Sequence, residues 1–379
     1  MGQESDMLAR IAGCFQTDAE IVRIERIGDG HIHDSYRCAA EDGSGYVLQR
    51  INTDVFGDPV GVMQNIVLVV ESIGTATGPV EDRSGIGVPQ LVPTAQLPEH
   101  ADLPVLVIRT EPAAGAPDGA SGRARTDGWW RMWRAVAHAG PGPAPAPPRE
   151  ARSCGLGFGT FLALTSGIEP ERLCVTIPRF HDIERRLGEL ERAVAEDTAG
   201  RLSGARREVE LVEERAARMR AYFGSLLQHP ARVTHNDTKF NNILLDTATG
   251  EPRAVIDLDT VMAGHAAYDF GDGARTGAVT AAEDTPTPEE MELNAESFRA
   301  YADGFLSAAA LSDAERATLP EATGYMTFIM AVRFLTDHIA GDRYYHIDEP
   351  GHNLRRARAQ LALVQDLERH AEAVARALA

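Results

Sequence analysis

The first third of the chain alternates short apolar runs with Gly, Asp and Pro, a pattern that predicts β-strands separated by turns. Residues 60–74, VGVMQNIVLVVESIG, differ because their length and apolar spacing suit one helix. We therefore expect an antiparallel sheet that carries a helix. The strands are predicted within four stretches: IVRIERIGDGH, SYRCAA, GYVLQRIN and LPVLVIRT.

The rest of the chain shows apolar residues at three- and four-residue spacing, which predicts helices over residues 181–197, 207–228 and 353–379. Two more helix starts are predicted, at Thr287-Pro288 followed by two glutamates, and at the capping box of Ser312 and Glu315. Residues 139–153, AGPGPAPAPPREARS, are expected to form an exposed extended loop, because proline lacks an N–H donor and fixes φ. Together the two patterns predict an α+β fold.

A set of oxygen and cation side chains stands out in residues 232–272. The stretches NILLD and RAVIDL predict a hairpin around TATGEP, which would fold Asp257 back towards Asn242 and Asp237. Phosphoryl transfer from ATP requires a carboxylate that orients the acceptor, oxygen ligands for Mg²⁺ and a cation for the γ-phosphate. Asp237 supplies the first, Asn242 and Asp257 the second, and Lys239 the third. Asn242 follows Asp237 by five positions, the spacing of the protein-kinase catalytic loop.

The letters D-F-G, which mark a magnesium-binding aspartate in protein kinases, occur here at Asp269-Phe270-Gly271. In the kinase pattern that aspartate closes the hairpin after the catalytic loop, fewer than two dozen residues on. Asp257 lies 20 positions after Asp237, whereas Asp269 lies 32 after it and beyond the hairpin. Spacing therefore selects Asp257 as the metal ligand and makes the literal D-F-G a coincidence.

Composition excludes some classes of partner. The net charge is −19, with 37 Lys and Arg against 56 Asp and Glu, so the basic surface that nucleic-acid binding requires is not expected. The four cysteines are scattered and predict reduced thiols rather than a zinc site or disulfides. The N-terminus lacks the apolar core of a signal peptide, and no stretch reads as apolar for about 18 residues. We expect a cytoplasmic protein with no membrane and no nucleic-acid partner.

These residues resemble the N-acetylhexosamine 1-kinases, members of the aminoglycoside phosphotransferase and choline kinase group. The resemblance spans nearly the whole chain and is weakest over residues 75–155. Three stretches around the predicted site carry it: THNDTKFNNILLD, VIDLDTVMAG and YDFGDGAR. Four more support it: GDGHIHDSY, YVLQRIN, RFLTDHIAGDRYY and HNLRRARAQ.

The resemblance implies a protein-kinase-like fold of two lobes, a small N-terminal lobe of sheet and helix over residues 1–132 and a mainly helical C-terminal lobe over residues 133–379. It implies transfer from ATP, with Mg²⁺, to the anomeric hydroxyl of N-acetylglucosamine or N-acetylgalactosamine. Asp237 would be the base, and Asn242 and Asp257 the magnesium ligands. Asp269 would be a buried acceptor that steadies the backbone of the catalytic loop.

On the nucleotide side, Gly28 and Gly30 would form the turn that covers the phosphates, although a plain hairpin turn explains this G-x-G equally well. Kinases of this group usually place Lys or Arg on the third strand, where this chain has Gln49 followed by Arg50. Successive strand residues face opposite sides. Which of the two meets the ATP phosphates is therefore left open. His33 is a second departure, because similar kinases tend to have Asn there.

For the acceptor, the matching segment of the family lines the sugar pocket, which implies substrate roles for Arg333, Asp337 and Tyr344. The plain alternative is a surface ion pair, because Arg333 and Asp337 are four residues apart on one helix face. A further cluster, Trp129, Trp130 and Trp133, is typical of a protein core, with stacking on adenine as the alternative.

Two other functions remain open from the sequence. The first is a kinase of the same fold whose acceptor is an aminoglycoside, an aminocyclitol or another amino sugar. Such acceptors are polycations, so acidic residues around Arg333 would favour them. The second is a pseudokinase that binds nucleotide without catalysis, which the missing strand-three lysine favours and the intact set of Asp237, Asn242 and Asp257 opposes.

Overall fold

The computed structural model describes residues 2–27, 32–77, 86–95, 103, 106–108, 128–142 and 144–379. The chain divides into two compact units. The first comprises Met1–Ala137, Glu171–Ile177 and Leu258–Val261, and the second comprises His138–Pro170, Pro178–Asp257 and Met262–Ala379. The boundary between the lobes that was predicted after residue 132 would cut the strand Gly128–Arg134. The first unit continues to Ala137 because the whole of this strand belongs to its sheet.

The elements of the first unit are α1 (Gly2–Ala12), β1 (Ile21–Arg26), β2 (Asp34–Ala40), β3 (Gly45–Arg50), α2 (Pro59–Thr77), β4 (Leu106–Ile108) and β5 (Gly128–Arg134). The five strands form an antiparallel sheet in the order β1-β2-β3-β5-β4. Alternate residues of β2, Tyr36, Cys38 and Ala40, are buried against Leu8 and Ile11 of α1. The predicted antiparallel sheet with a helix is confirmed.

Helix α2 is the predicted helix of the first unit. It buries apolar side chains at helical spacing, which explains its place in the core: Val62, Met63, Ile66, Val69 and Ile73. The window Pro59–Ala76 has a mean hydropathy of 1.3 and is long and apolar enough to cross a membrane, a window that the sequence reading overlooked. A buried core helix meets the same criterion, so this finding is weak support for a membrane span.

Strand β5 carries the tryptophan cluster and was not predicted as a strand. Trp130 and Met132 are fully buried in the core. Four successive buried residues, Trp130 to Trp133, hide the alternation by which strands are recognised. The core interpretation therefore holds for Trp130 and Trp133, and Trp133 also donates a hydrogen bond from Nε1 to Gln49 Oε1 at 2.9 Å.

The second unit is mainly helical. Its helices are α3 (Pro148–Leu164), α4 (Ile183–Glu196), α5 (Arg206–Leu226), α6 (Ala266–Gly277), α7 (Ala295–Ala308), α8 (Asp313–Ala340), α9 (His352–Arg369) and α10 (Ala371–Ala377). Its strands are β6 (Arg232–Thr234), β7 (Ile243–Leu245), β8 (Pro252–Val255) and β9 (Met262–Gly264). They form two small antiparallel sheets, β6 with β9 and β7 with β8. The predicted hairpin is confirmed as β7 and β8, and the capping box of Ser312 and Glu315 begins α8.

Three local predictions in the second unit were wrong. The extended loop over 139–153 ends early, because Pro148 takes the first position of α3, where its missing N–H costs nothing. The start at Thr287 gives only a 3₁₀ turn, since the side chain of Asn294 caps α7 instead by accepting the Ser297 N–H. The predicted helix 353–379 is interrupted at His370 and forms α9 and α10.

Candidate active site

The catalytic loop follows β6 and is folded around one buried carboxylate. Asp269, at the start of α6, is 0% exposed and accepts the backbone N–H groups of His235 at 2.9 Å and Asn236 at 2.8 Å. Thr238 donates its hydroxyl hydrogen to the Asp269 carbonyl at 2.6 Å. Asn236 has a left-handed φ of 65°, which asparagine tolerates better than most residues. These bonds fix the backbone just before Asp237.

Two histidines brace the same loop. The Asp237 N–H donates to His235 Nδ1 at 3.3 Å, so the ring proton of His235 lies on Nε2, which is 2.9 Å from the Ile256 carbonyl. His181 Nε2 lies 3.0 Å from the Asn236 carbonyl and donates to it. Burial, with a contribution from the charge of Arg333, lowers the pKa of His181 to about 3. His181 therefore stays uncharged at neutral pH.

Asp237 and Lys239 form an ion pair within the loop. Lys239 Nζ lies 3.0 Å from Asp237 Oδ1 and 3.2 Å from Oδ2. Burial alone would raise the pKa of Asp237, but the charge of Lys239 outweighs it and the pKa is lowered. The charge of Asp237 in turn raises the pKa of Lys239. At neutral pH the candidate base is thus a carboxylate beside a fixed cation.

The hairpin of β7 and β8 brings the two predicted metal ligands to one end. Asn242 precedes β7, Asp257 follows β8, and the Ile256 N–H donates to the Asn242 carbonyl at 2.9 Å. Asn242 Nδ2 donates to the Asp237 carbonyl at 2.7 Å, which leaves Oδ1 for another partner. Asp257 is exposed and has a left-handed φ of 61°. An amide oxygen and an exposed carboxylate are hard donors that fit Mg²⁺.

The predicted acceptor residues lie at the end of α8 and in the following loop. The guanidinium carbon of Arg333 stands 5.1 Å from the ring of Phe180, 5.7 Å from Tyr344 and 5.4 Å from Tyr345. Both Arg333 and Asp337 lie in the described part of the chain, and they do not form the ion pair that was the alternative to a substrate role. The Asp337 carboxylate accepts backbone N–H groups from the loop instead, including that of Tyr344 at 2.9 Å.

The electrostatics of the acceptor segment centre on Arg333. Burial alone would lower its pKa, but Tyr345, Tyr344 and the charge of Asp237 raise it. Its Nη1 donates to Met330 Sδ at 3.4 Å, and within the described part of the chain no carboxylate forms an ion pair with it. The neighbouring cation, Arg186, is paired with Glu189 at 2.9 Å. Among the described residues, Arg333 is therefore a cation that faces three aromatic rings and has no acidic partner.

Two of the predicted nucleotide-binding residues, Gln49 and Arg50, belong to the first unit. The other two, Gly28 and Gly30, lie outside the described residues. Gln49 uses both ends of its amide, because Oε1 accepts from Arg131 Nε at 3.0 Å and from Trp133, and Nε2 donates to Ser35 Oγ at 3.1 Å. Arg50 Nη1 lies 3.2 Å from Asp34 Oδ2. A contact of Gln49 or Arg50 with the phosphates stays a prediction.

The sequence reading missed a buried ion pair in the first unit. Arg131, 1% exposed, donates from Nη1 and Nη2 to the two carboxylate oxygens of Asp259 at 2.8 and 2.6 Å. His33 Nε2 lies 3.3 Å from Asp259 Oδ1, without the geometry of a hydrogen bond. Burial would raise the pKa of Asp259, but the charges of Arg131 and His33 lower it. The signals were an arginine among tryptophans and a second aspartate in IDLD.

Phe180, Tyr345 and Asn353 were also missed as parts of the acceptor segment. Tyr345 and Asn353 stand inside stretches that carried the resemblance, but nothing in their spacing pointed to Arg333 or Asp337. Phe180 lies 153 positions before Arg333 in the chain. No local pattern could have joined them.

Comparison with known proteins identifies the family and the fold. The profile of the phosphotransferase enzyme family, APH, matches residues 23–311. Among solved structures, an amicoumacin kinase in complex with AMP-PNP, Ca²⁺ and Ami is similar, with a TM-score of 0.58, 15% identity, and coverage of 95% of this chain and 93% of that one. A spectinomycin phosphotransferase with ADP and spectinomycin gives 0.58 and 11%, covering 97% and 98%. An aminoglycoside phosphotransferase from Alicyclobacillus acidocaldarius gives 0.56 and 14%, covering 95% and 93%. The predicted α+β, protein-kinase-like fold is confirmed.

Proposed function

The chain belongs to the phosphotransferase enzyme family, and from that membership we propose that it transfers the γ-phosphoryl group of ATP to the anomeric 1-hydroxyl of an N-acetylhexosamine. As a member of this family the protein is a small-molecule phosphotransferase. The products would be ADP and the sugar 1-phosphate. The identity of the acceptor is the part that the proposal adds.

The catalytic loop supports the proposed chemistry residue by residue. Asp237 would accept a hydrogen bond from the attacking hydroxyl, align it, and take its proton as the new O–P bond forms. Lys239 keeps Asp237 ionised by lowering its pKa, so Asp237 is a weak base. A weak base suits a loose transition state in which proton transfer comes late. Lys239 would also stabilise negative charge on the transferred group.

Asn242 and Asp257 would hold Mg²⁺ through oxygen atoms. The bound metal would neutralise charge on the ATP phosphates as the phosphoryl group leaves ADP. The backbone bond from the Ile256 N–H to the Asn242 carbonyl holds these two ligands at one end of their hairpin. His235 supports the same end through the Ile256 carbonyl.

The observation that carries the acceptor assignment is the surroundings of Arg333. A guanidinium that faces Phe180, Tyr344 and Tyr345 and has no acidic partner among the described residues offers a donor to a carbonyl oxygen. An N-acetyl group has such an oxygen, and the rings offer flat apolar faces to a sugar. The ammonium groups of an aminoglycoside would be repelled by the same cation. The sign of charge therefore favours a neutral acetamido sugar.

The test is a set of parallel incubations with ATP, Mg²⁺ and N-acetylglucosamine, N-acetylgalactosamine, glucosamine or an aminoglycoside panel, followed by phosphorus NMR. We expect an acid-labile phosphate coupled to the anomeric proton with the N-acetylated sugars, and little product with glucosamine. The Asp237→Asn variant is the control for contaminating kinases. Phosphate on an aminoglycoside, with none on either sugar, would reject the proposed acceptor while retaining the enzyme class.

A further inference from the structure

The carboxylate of Asp337 is saturated by hydrogen bonds from its own chain. Asp337 is 6% exposed, and its Oδ1 accepts the backbone N–H groups of Arg343 at 2.8 Å and Tyr344 at 2.9 Å. Its Oδ2 accepts the Tyr345 N–H at 2.9 Å and Asn353 Nδ2 at 3.0 Å. A carboxylate offers about four lone-pair positions, and four donors are present. None is left for a hydroxyl group of an acceptor.

The backbone after α8 explains how three successive amides reach one carboxylate. Gly341 and Asp342 have positive φ values of 96° and 57°, which turn the chain back over the last turn of the helix. The Asp342 N–H donates to the Asp337 carbonyl at 2.8 Å. Consecutive N–H groups in such a turn form a concave site for an anion. Here the anion is the side chain of Asp337 itself.

A second layer of contacts holds the loop from outside. Asn353, fully buried in the first turn of α9, donates from Nδ2 to Asp337 and also to Asp342 Oδ1 at 2.9 Å. Arg201 forms an ion pair with Asp342 and donates to the His338 carbonyl at 3.1 Å. The loop is thus tied to α9 and to the segment before α5, both in the second unit.

The loop carries two of the three rings that face Arg333. Tyr344 and Tyr345 are the residues whose amides bind Asp337, and their ring centroids are 4.8 Å apart. Tyr345 also packs on Phe334 of α8 at 4.7 Å. A change in the amide positions would move both rings relative to the guanidinium. The third ring, Phe180, approaches Arg333 from another segment and would remain in place.

We infer that Asp337 is a positioning residue for acceptor recognition: it does not touch the acceptor, but folds the loop 341–345 around its carboxylate and so sets Tyr344 and Tyr345 against Arg333. The inference rests on the proposed transfer to a sugar acceptor. It differs from the role that the sequence implied for Asp337, which was direct contact with the substrate.

The test compares Asp337→Asn with the wild type in steady-state kinetics for both substrates. The asparagine keeps one accepting oxygen but turns an NH₂ group towards backbone N–H donors. We expect the KM for the acceptor to rise by roughly tenfold or more, with the KM for ATP within about twofold. Asn353→Ala, which removes one of the four donors to Asp337 and the bond to Asp342 but leaves the three backbone donors, should give a smaller shift of the same kind. Thr336→Val, one position earlier on α8, is the matched control and should change neither KM.

Deoxy and deacetylated acceptor analogues separate positioning from direct contact. If Asp337 bound one hydroxyl group, the loss in kcat/KM caused by Asp337→Asn would vanish for the analogue that lacks that group. A positioning role predicts the same fold-loss for every analogue. An analogue-specific loss, or equal rises in both KM values in a variant with unchanged Tm, would overturn the inference.

The design also separates this inference from the proposed function. If the wild type phosphorylates no N-acetylhexosamine, the proposed function fails, and the same comparison is made with the acceptor from the panel that it does phosphorylate. Should Asp337→Asn not fold, Asn353→Ala carries the test. An unchanged acceptor KM in a folded Asn353→Ala variant would then count against the role of the loop.

Discussion

Replacing Asn65 by Asp should destabilise the first unit by about 2–6 kcal/mol, although the two side chains have nearly the same shape. Asn65 is 1% exposed, and its Nδ2 donates to the carbonyls of Cys174 at 2.8 Å and Val261 at 2.9 Å. Its Oδ1 accepts the Cys174 N–H at 2.8 Å. The variant keeps this acceptor but places an oxygen opposite two carbonyl oxygens, and each buried group without a partner costs about 1–3 kcal/mol.

The assay is urea unfolding followed by tryptophan fluorescence, because all three tryptophans lie in the first unit. Gln64→Glu is the matched control, since it adds the same charge at the exposed neighbouring position and should change stability by no more than about 0.5 kcal/mol. The deficit of Asn65→Asp should shrink as the pH falls, because the protonated carboxyl can donate to one of the two carbonyls.

Equal unfolding free energies for Asn65→Asp and Gln64→Glu would refute the reasoning. They would mean that the segments 171–177 and 258–261 are not held to α2 by this side chain. If the loss of unfolding free energy in Asn65→Asp were the same at low pH, it would come from altered packing rather than from the two lost hydrogen-bond donors.

Three further predictions concern the second unit. Asp257→Asn should lower kcat/KM by more than roughly 100-fold, because loss of a residue that only supports a metal ligand already costs roughly 10–100-fold. Its unfolding free energy should stay within about 0.5 kcal/mol of the wild type, since Asp257 is exposed. Unchanged Mn²⁺ binding by the variant in its nucleotide complex would contradict the role of Asp257 as a metal ligand. Lys239→Met should raise the pKa of Asp237 and so move the acid limb of the pH profile of kcat/KM to higher pH. An acid limb at the same pH would show that Lys239 does not lower the pKa of the group that controls activity. Between pH 6.5 and about 3 an unfolded His181 binds a proton that the folded one does not, so stability should fall as the pH drops, by at most about 1.4 kcal/mol per pH unit. Urea unfolding of His181→Gln should lack that part of the decline, and identical pH dependence would count against a neutral buried imidazole.

The parts of the site that follow local chain geometry could be predicted. The hairpin places Asn242 and Asp257 at one end because strands joined by a short turn must pair, and the spacing from Asp237 fixes which residues flank it. Helices with apolar residues at three- and four-residue spacing could be predicted as well, because that signal too is local in the sequence. Pro148 was misread, because its effect depends on whether it stands inside a helix or at its first position.

The long-range partners could not be predicted. Arg131 and Asp259 are 128 positions apart, and no periodicity links a residue of β5 to the turn after β8. Asn65 likewise bonds to carbonyls 109 and 196 positions away, and backbone carbonyls leave no trace in a sequence. Buried polar side chains of this kind show their partners only once the chain is folded.

Asp269 and Asp337 are two buried carboxylates that support a loop beside the candidate site. Spacing separated Asp269 from the predicted metal ligand Asp257, but no spacing distinguished Asp337 from a residue that contacts the substrate. Each instead accepts successive backbone N–H groups, two for Asp269 and three for Asp337, and each is almost fully buried. Asp257 differs from both in being exposed at the end of its hairpin. A buried carboxylate that binds successive backbone N–H groups acts on its surroundings through the loop that it holds, so the catalytic loop and the loop 341–345 are positioned by the same device.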